Sequence, residues 1–344
     1  GAEMEQSFYM TRVFTDKGIV GEYPLAADIS RAAELMLGHS ALERGFFYAE
    51  YARYPMNLLG AVDTILWDIG GKFHNASVSE LLGGFRKKLP AYASTMNGGV
   101  TGGLSTPESY ADFAQQCNEI GYKGFKIHPY PRPKLQDHID AILSLGDRVG
   151  DRMDLMLDSF CFYRTFADAL KVGYACDEAG FFWFEDPYFD GGATEYGHRK
   201  LREYIRTPLL QGEKVHSIQQ KVNLLLANAA DFIHGGILGN GVTGTMKLAG
   251  AAEALGVDVE IHGSDPAQHH TMSAIGNSNY YEMVWVHPDV ECLQMTNEIY
   301  TNYADGLDAV DPEGNVDVPG GPSYGVEYDW KAIELLTNAT LVHE

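Results

Sequence analysis

Cysteine is scarce in this chain. Only Cys117, Cys161, Cys176 and Cys292 occur in 344 residues, and no two form a Cys-x-x-Cys pair. That spacing argues against a disulfide framework or a cysteine zinc site and predicts free thiols in a reducing cytoplasm. Long apolar runs are also missing. No stretch reaches the length of a membrane span and no signal peptide opens the sequence, so a soluble cytoplasmic protein is expected. Basic residues are in short supply, with 25 Lys and Arg against 47 Asp and Glu and a formal net charge of −22. Such a surface repels phosphate backbones and anionic lipid, which argues against nucleic-acid and membrane partners. An anionic small molecule would need a positive site built locally, from a metal ion and a lysine. Apolar residues are not lacking: 45% of the chain is hydrophobic, enough for one large domain with an appendage.

From about residue 89 onward a unit repeats: an apolar run, a polar turn, then an amphipathic stretch. The runs end near Ser94, His128, Asp158, Glu185, Glu213, His234, His262 and Val286. Helical patterns lie between them, for example Pro107 to Ile120, Leu135 to Leu145, Thr165 to Ala179 and Gly244 to Leu255. Strands alternating with helices predict an α/β fold, a (β/α)8 TIM-type barrel over residues 89–310. Residues 1–88 break this period. Tyr9 to Glu22 reads as a hairpin turning at Thr-Asp-Lys-Gly, and three helical segments follow, the last from Met56 to about Phe73. Residues 1–88 are therefore expected to form an α+β cap over the barrel mouth. The Gly- and Pro-rich segment 311–344 is expected to return to that cap.

The strongest chemical signal is three carboxylates at near-equal intervals, Asp158, Glu185 and Glu213, each closing a short apolar run. A buried carboxylate at a strand end is costly unless a charge compensates it. One per strand–helix unit predicts three ligands gathered around one hard divalent cation at the C-terminal face of the barrel. Lys126 and His128 close the second barrel strand two residues apart, so both point the same way, into the site. His262 closes the seventh strand and Glu282 lies on the eighth. Under strict alternation Glu260 also points inward, deeper in the barrel, with no role assigned. Tyr23 and Phe160-Cys161-Phe162 are candidates to line the pocket. Trp67, Trp285 and Phe181–Phe184 read as core, and His234, His269 and His270 as loop or helix-end residues. A zinc site from His262, His269 and His270 has no spacing that supports it.

At this point the chain resembles the enolase superfamily, mandelate racemase subgroup, over nearly its whole length. The matching pieces are Ala61-Val62-Asp63-Thr64-Ile65-Leu66-Trp67-Asp68 and Leu81-Leu82-Gly83-Gly84, then Phe125-Lys126-Ile127-His128 and Asp158. They continue with Phe184-Glu185-Asp186-Pro187, Gly212-Glu213, Gly241-Val242-Thr243-Gly244 and His262. The resemblance implies that Asp158, Glu185 and Glu213 ligate Mg2+, and that Lys126 helps hold a substrate carboxylate and its enediolate. It places His128 and His262 on opposite faces of the substrate α-carbon and gives Glu282 a hydrogen bond to a substrate oxygen or carboxylate. It implies removal of the proton α to a carboxylate, and by family likeness a homo-oligomer. It also implies that specificity resides largely in a mobile cap loop between the first two cap strands. That loop and the first strand are expected to lie at or before the start of this chain.

Three positions depart from the family pattern. His128 stands where the second lysine of Lys-x-Lys is usual. Gly235 stands where racemase-like members place a sixth-strand Asp to pair the seventh-strand His, leaving Asp265 or another acid to orient His262. Leu238 stands where muconate-lactonising members place a base, against that branch. The implied activity is dehydration of a sugar acid to a 2-keto-3-deoxy acid. Racemisation or epimerisation of a 2-hydroxy or amino acid, and a decayed site that binds metal and acid without turnover, are the competing readings.

Overall fold

The computed structural model describes residues 7–25, 27–53, 56–96, 103–128, 134–289 and 298–342. Strands β1 (Tyr9–Phe14) and β2 (Val20–Leu25) pair antiparallel with Phe14 opposite Val20, and Gly18 takes the left-handed turn position at φ 73°. Four helices follow: α1 (Ala33–Met36), α2 (Arg44–Tyr51), α3 (Met56–His74) and α4 (Val78–Leu81). Alternate residues of β2 are buried and face α3, so Tyr23 and Leu25 join Val62, Ile65, Leu66 and Ile69 in a small core of their own.

The barrel strands are β3 (Lys88–Thr95), β4 (Gly124–Ile127), β5 (Asp154–Asp158), β6 (Trp183–Glu185), β7 (Leu209–Gln211), β8 (Phe232–Gly235), β9 (Asp258–Ile261) and β10 (Tyr281–Val286). Between them lie α5 (Pro107–Ile120), α6 (Leu135–Val149), α7 (Phe166–Ala179), α8 (Glu195–Arg202), α9 (Ile218–Leu226), α10 (Ile237–Glu253) and α11 (Pro266–Ser273). The helices start where the sequence caps them. Thr106, Thr165, Ser217 and Asp265 each accept a backbone N–H of the first turn, and Pro107 and Pro266 occupy first-turn positions. All eight strands are parallel and pair in chain order, with β10 closing back onto β3. This is the α/β barrel architecture with a cap expected from the sequence.

Between β9 and β10 the bonds run through side chains and flanking loops. Val259 N donates to Asn277 O at 2.7 Å, and Glu260 accepts from Asn279 Nδ2 at 2.6 Å and from the backbone N–H groups of Asn279 and Tyr280. Glu260 thus acts at the base of this junction. Inside the barrel, Tyr92, Met156, Trp183 and Leu210 form a sealed floor, with Phe182, Phe232 and Tyr280 against it. Strand alternation then sets a polar layer two residues further along: Ser94, Asp158, Glu185, His234 and Glu282.

After the barrel, β11 (Asn315–Asp317) pairs antiparallel with β3. The chain then crosses to the cap. The Ser323 carbonyl accepts Val78 N, Tyr324 OH donates to Thr64 O at 2.9 Å, and α12 (Trp330–Leu336) carries Trp330 to Arg12.

Cap and barrel lock at α3 and α10. Helix α10 starts earlier than the apolar pattern indicated, because Ile237–Asn240 forms a turn before a break at Gly241 (φ 64°, ψ −179°). A Cβ at Gly241 would lie 2.6 Å from Asp63 Cβ, and Asp63 accepts Thr243 N at 2.8 Å. Gly241→Ala is therefore expected to cost about 2 kcal/mol or more, through both strain and collision. In the same helix Gly250 is exposed, and a methyl added there would meet nothing within 4 Å, so Gly250→Ala should be neutral or slightly stabilising. Thermal denaturation of the two variants checks this; equal midpoints would refute the account of the lock.

A carboxylate–imidazole cluster at the barrel mouth

Asp158 ends β5, Glu185 ends β6 and Glu213 follows β7. One oxygen from each lies within 4.8 Å of the others, the only such group of potential ligands among the described residues. Asp158 and Glu185 stand side by side in the β5–β6 register. Burial, and next the neighbouring Asp158, push the Glu185 carboxyl up to about 8. Asp186 behind it is likewise raised to about 8 by burial and Glu185, and its Oδ1 has no partner. Three oxygen donors held this close, with acid to spare behind them, fit a hard divalent cation.

The surrounding bases each meet one of these carboxylates. Lys126 Nζ is fully buried, 3.0 Å from Glu185 Oε2 and 2.8 Å from Glu282 Oε1. Burial alone would lower its pKa, but Glu185 and Glu282 outweigh that and raise it. His128 Nε2 lies 2.9 Å from Asp158 Oδ2, and His262 Nε2 lies 3.5 Å from Glu213 Oε1. Lys214 also pairs with Glu213. The main chain of His128 is fixed by Tyr110 OH on its carbonyl and Thr95 Oγ1 on its N–H. Around its ring stand Phe160 and Trp285, with centroids at 6.5 and 6.4 Å.

Several sequence expectations change here. His234 is no loop residue: it lies in β8, is fully buried, and its Nε2 lies 2.6 Å from Glu185 Oε1. The alternation Phe232–His234, in phase with Trp183–Glu185, carried that signal. His269 and His270 sit inside α11, bonded to Asp305 and to Ser79 N, so they form no zinc site with His262. Asp265 caps α11 and receives Tyr23 OH, and does not orient His262. A side chain at Gly235 would pack on Val259, Ile261 and Thr245, whereas one at Gly236 (φ 145°) would meet the His262 backbone. Both are glycine, so no sixth-strand carboxylate faces that imidazole from either position. Glu282 accepts Ser94 Oγ at 2.8 Å and Gly263 N at 2.6 Å besides Lys126, so its oxygens are already engaged within the protein. Trp285 borders the site beside His128, while Trp67 is core as expected. Phe160 is half-exposed at the mouth, but Phe162 packs on His138 in the outer layer. Cys292 lies outside the described residues.

A fold and a mouth of this kind define a class, and comparison with known proteins agrees. A family model described as Enolase C-terminal domain-like matches residues 109–332, and the chain belongs to the enolase superfamily. It is 24% identical over 333 residues to D-gluconate dehydratase of Thermoproteus tenax, covering 90% of this chain and 64% of that one. It is 26% identical over 288 residues to D-galactarolactone cycloisomerase of Agrobacterium fabrum, covering 81% of this chain and 73% of that one. A crystal structure of D-glucarate dehydratase from Agrobacterium tumefaciens complexed with magnesium superposes with a TM-score of 0.86 at 28% identity, over 94% of this chain and 88% of that one. The chain thus spans just under two thirds of the length of the T. tenax relative. Among the described residues no helix is long and apolar enough to cross a membrane.

A Glu185 carboxyl near 8 without a cation is largely protonated at pH 7, and a ligand must be ionised. Cation binding at pH 7 should therefore release close to one proton. Apparent affinity should fall about tenfold per unit as pH drops below about 8. Calorimetric titration with Mg2+ in two buffers of different ionisation enthalpy measures the release; identical heats in both would refute it.

Proposed function

We propose that this chain is a Mg2+-dependent enzyme that removes the proton α to the carboxylate of a sugar acid and expels the β-hydroxyl, yielding a 2-keto-3-deoxy acid. The observation that carries this reading is the convergence of Asp158, Glu185 and Glu213 beside a sealed Lys126 and two imidazoles at the mouth. The magnesium-bound D-glucarate dehydratase structure supports the choice of metal, and the dehydratase relatives support the choice of reaction.

Bound Mg2+ would supply a Lewis acid that draws the substrate carboxylate's charge toward its oxygens. Lys126 adds an ammonium that Glu282 and Glu185 keep protonated, placed where the second negative charge of the enediolate develops. His128, whose imidazole lies beside Asp158 at the mouth, takes the α-proton. His262, whose side chain is 33% exposed, gives a proton to the departing β-hydroxyl, which leaves as water. The resulting enol takes up a proton at C3 to give the 2-keto acid. Phe160 and Trp285 flank the His128 ring.

A second reading has one observation in its favour. His128 and His262 stand at the ends of strands β4 and β9 and approach different carboxylates, so a proton removed by one could be returned by the other. That would give racemisation, epimerisation or cycloisomerisation. Incubation with aldonic and aldaric acids, with semicarbazide detection of 2-keto acids, separates the two: a Mg2+-dependent chromophore supports dehydration, and its absence together with changed optical rotation supports the second reading.

A further inference from the structure

Each of the three carboxylates is met by an imidazole: Asp158 by His128, Glu185 by His234 and Glu213 by His262. The three imidazoles are not equivalent. His262 is part-exposed and His128 borders the half-exposed Phe160, so both can meet a substrate. His234 is sealed, with a side chain 1% exposed. Its ring stands edge-on to His262 at 6.0 Å, and its carbonyl accepts the buried amine of Lys221. Just beyond it, Thr245 Oγ1 bonds both the N–H and the carbonyl of Gly236. The strand end is thus pinned on both sides, and the imidazole has no path outward.

We propose that His234 is a positioning residue for the cation, acting through Glu185. Its Nε2–H donates to Glu185 Oε1 while Lys126 donates to Oε2, so the carboxylate cannot rotate. Each carboxylate oxygen has two lone pairs, so these two hydrogen bonds leave Glu185 able to ligate a cation. Such partners of a ligand commonly set metal affinity by about 10–100-fold. This rests on the reading that Asp158, Glu185 and Glu213 bind a divalent cation.

The test uses the full chain stripped with EDTA, with Mn2+ binding followed by electron paramagnetic resonance and Mg2+ by competition. The wild type is compared with His234→Gln, His234→Asn and His234→Leu. The Gln amide can place its nitrogen where Nε2 lies, and the Asn amide is too short to reach it. Gln should bind Mn2+ within about threefold of wild type, whereas Asn and Leu should bind about 10–100-fold more weakly. At saturating Mg2+ the turnover of Asn should return to within a few-fold of wild type. Three results would overturn the proposal: Asn or Leu binding like wild type, Gln weakened as much as they are, or turnover staying lost at saturating metal. If Leu fails to fold, the Gln–Asn contrast still decides. Failure of the wild type to bind Mn2+ would instead sink the metal reading on which the proposal stands.

Discussion

Replacing Lys126 by methionine is expected to cut turnover steeply and to destabilise the protein at the same time. The ammonium is fully buried between Glu185 and Glu282. Losing one preorganised charge at a developing enediolate costs about 10²–10³ in kcat. Breaking a buried ion pair costs about 3–5 kcal/mol, because a carboxylate is left without its partner. Added Mg2+ can compensate Glu185 but not Glu282, which is not among the three converging ligands. Burial would raise the Glu282 carboxyl, yet Lys126 now holds it far below the usual range. Without Lys126 that carboxyl rises, so the variant loses stability as pH increases and its deficit narrows in acid. Adding Glu282→Gln should restore much of the melting temperature and none of the activity. An unchanged melting temperature in Lys126→Met would contradict the picture of a lysine held by two buried acids.

His128→Asn should separate chemistry from metal binding. General-base catalysis contributes about 10²–10⁴, so kcat should fall by that factor. Mg2+ should still bind, since the three carboxylates remain and Asp158 keeps the Phe160 N–H on Oδ1 at 2.7 Å. Burial lowers the pKa of His128, but Asp158 more than offsets this and raises it above that of a free imidazole. A base must be neutral to act, so wild-type activity should be lost on acidification. Steady-state kinetics and Mg2+ calorimetry on the same preparation measure both quantities. A variant within tenfold of wild type would transfer the base role elsewhere.

The barrel was legible because its strands are short, buried and closed by polar residues in a regular period. Asp158, Glu185 and Glu213 announced themselves by that period alone. Lys126 and His128 followed from the alternation of one strand. His234 obeys the same alternation, yet an isolated histidine before two glycines looks like a turn. What marks it is its partner Glu185, far away in sequence and next to it only once β6 to β8 are laid side by side. Asp265 misled for the opposite reason: its closeness to His262 in sequence hid the helix that Pro266 starts and that it caps. Trp285 looked like core from its size alone. The side-chain bonding of Glu260 and Glu282 across the β9–β10 junction depends on barrel closure, which no local pattern encodes.

The most direct test is proton NMR of the Mg2+-loaded protein with aldonic, aldaric and smaller 2-hydroxy acids in D2O. For at least one acid the α-proton signal should disappear and C3 methylene signals should grow, and EDTA should prevent both. Loss of the α-proton with the carbon skeleton unchanged would favour racemisation or epimerisation over dehydration. A protein that binds Mg2+ yet leaves every α-proton in place across the set would contradict proton abstraction at this mouth.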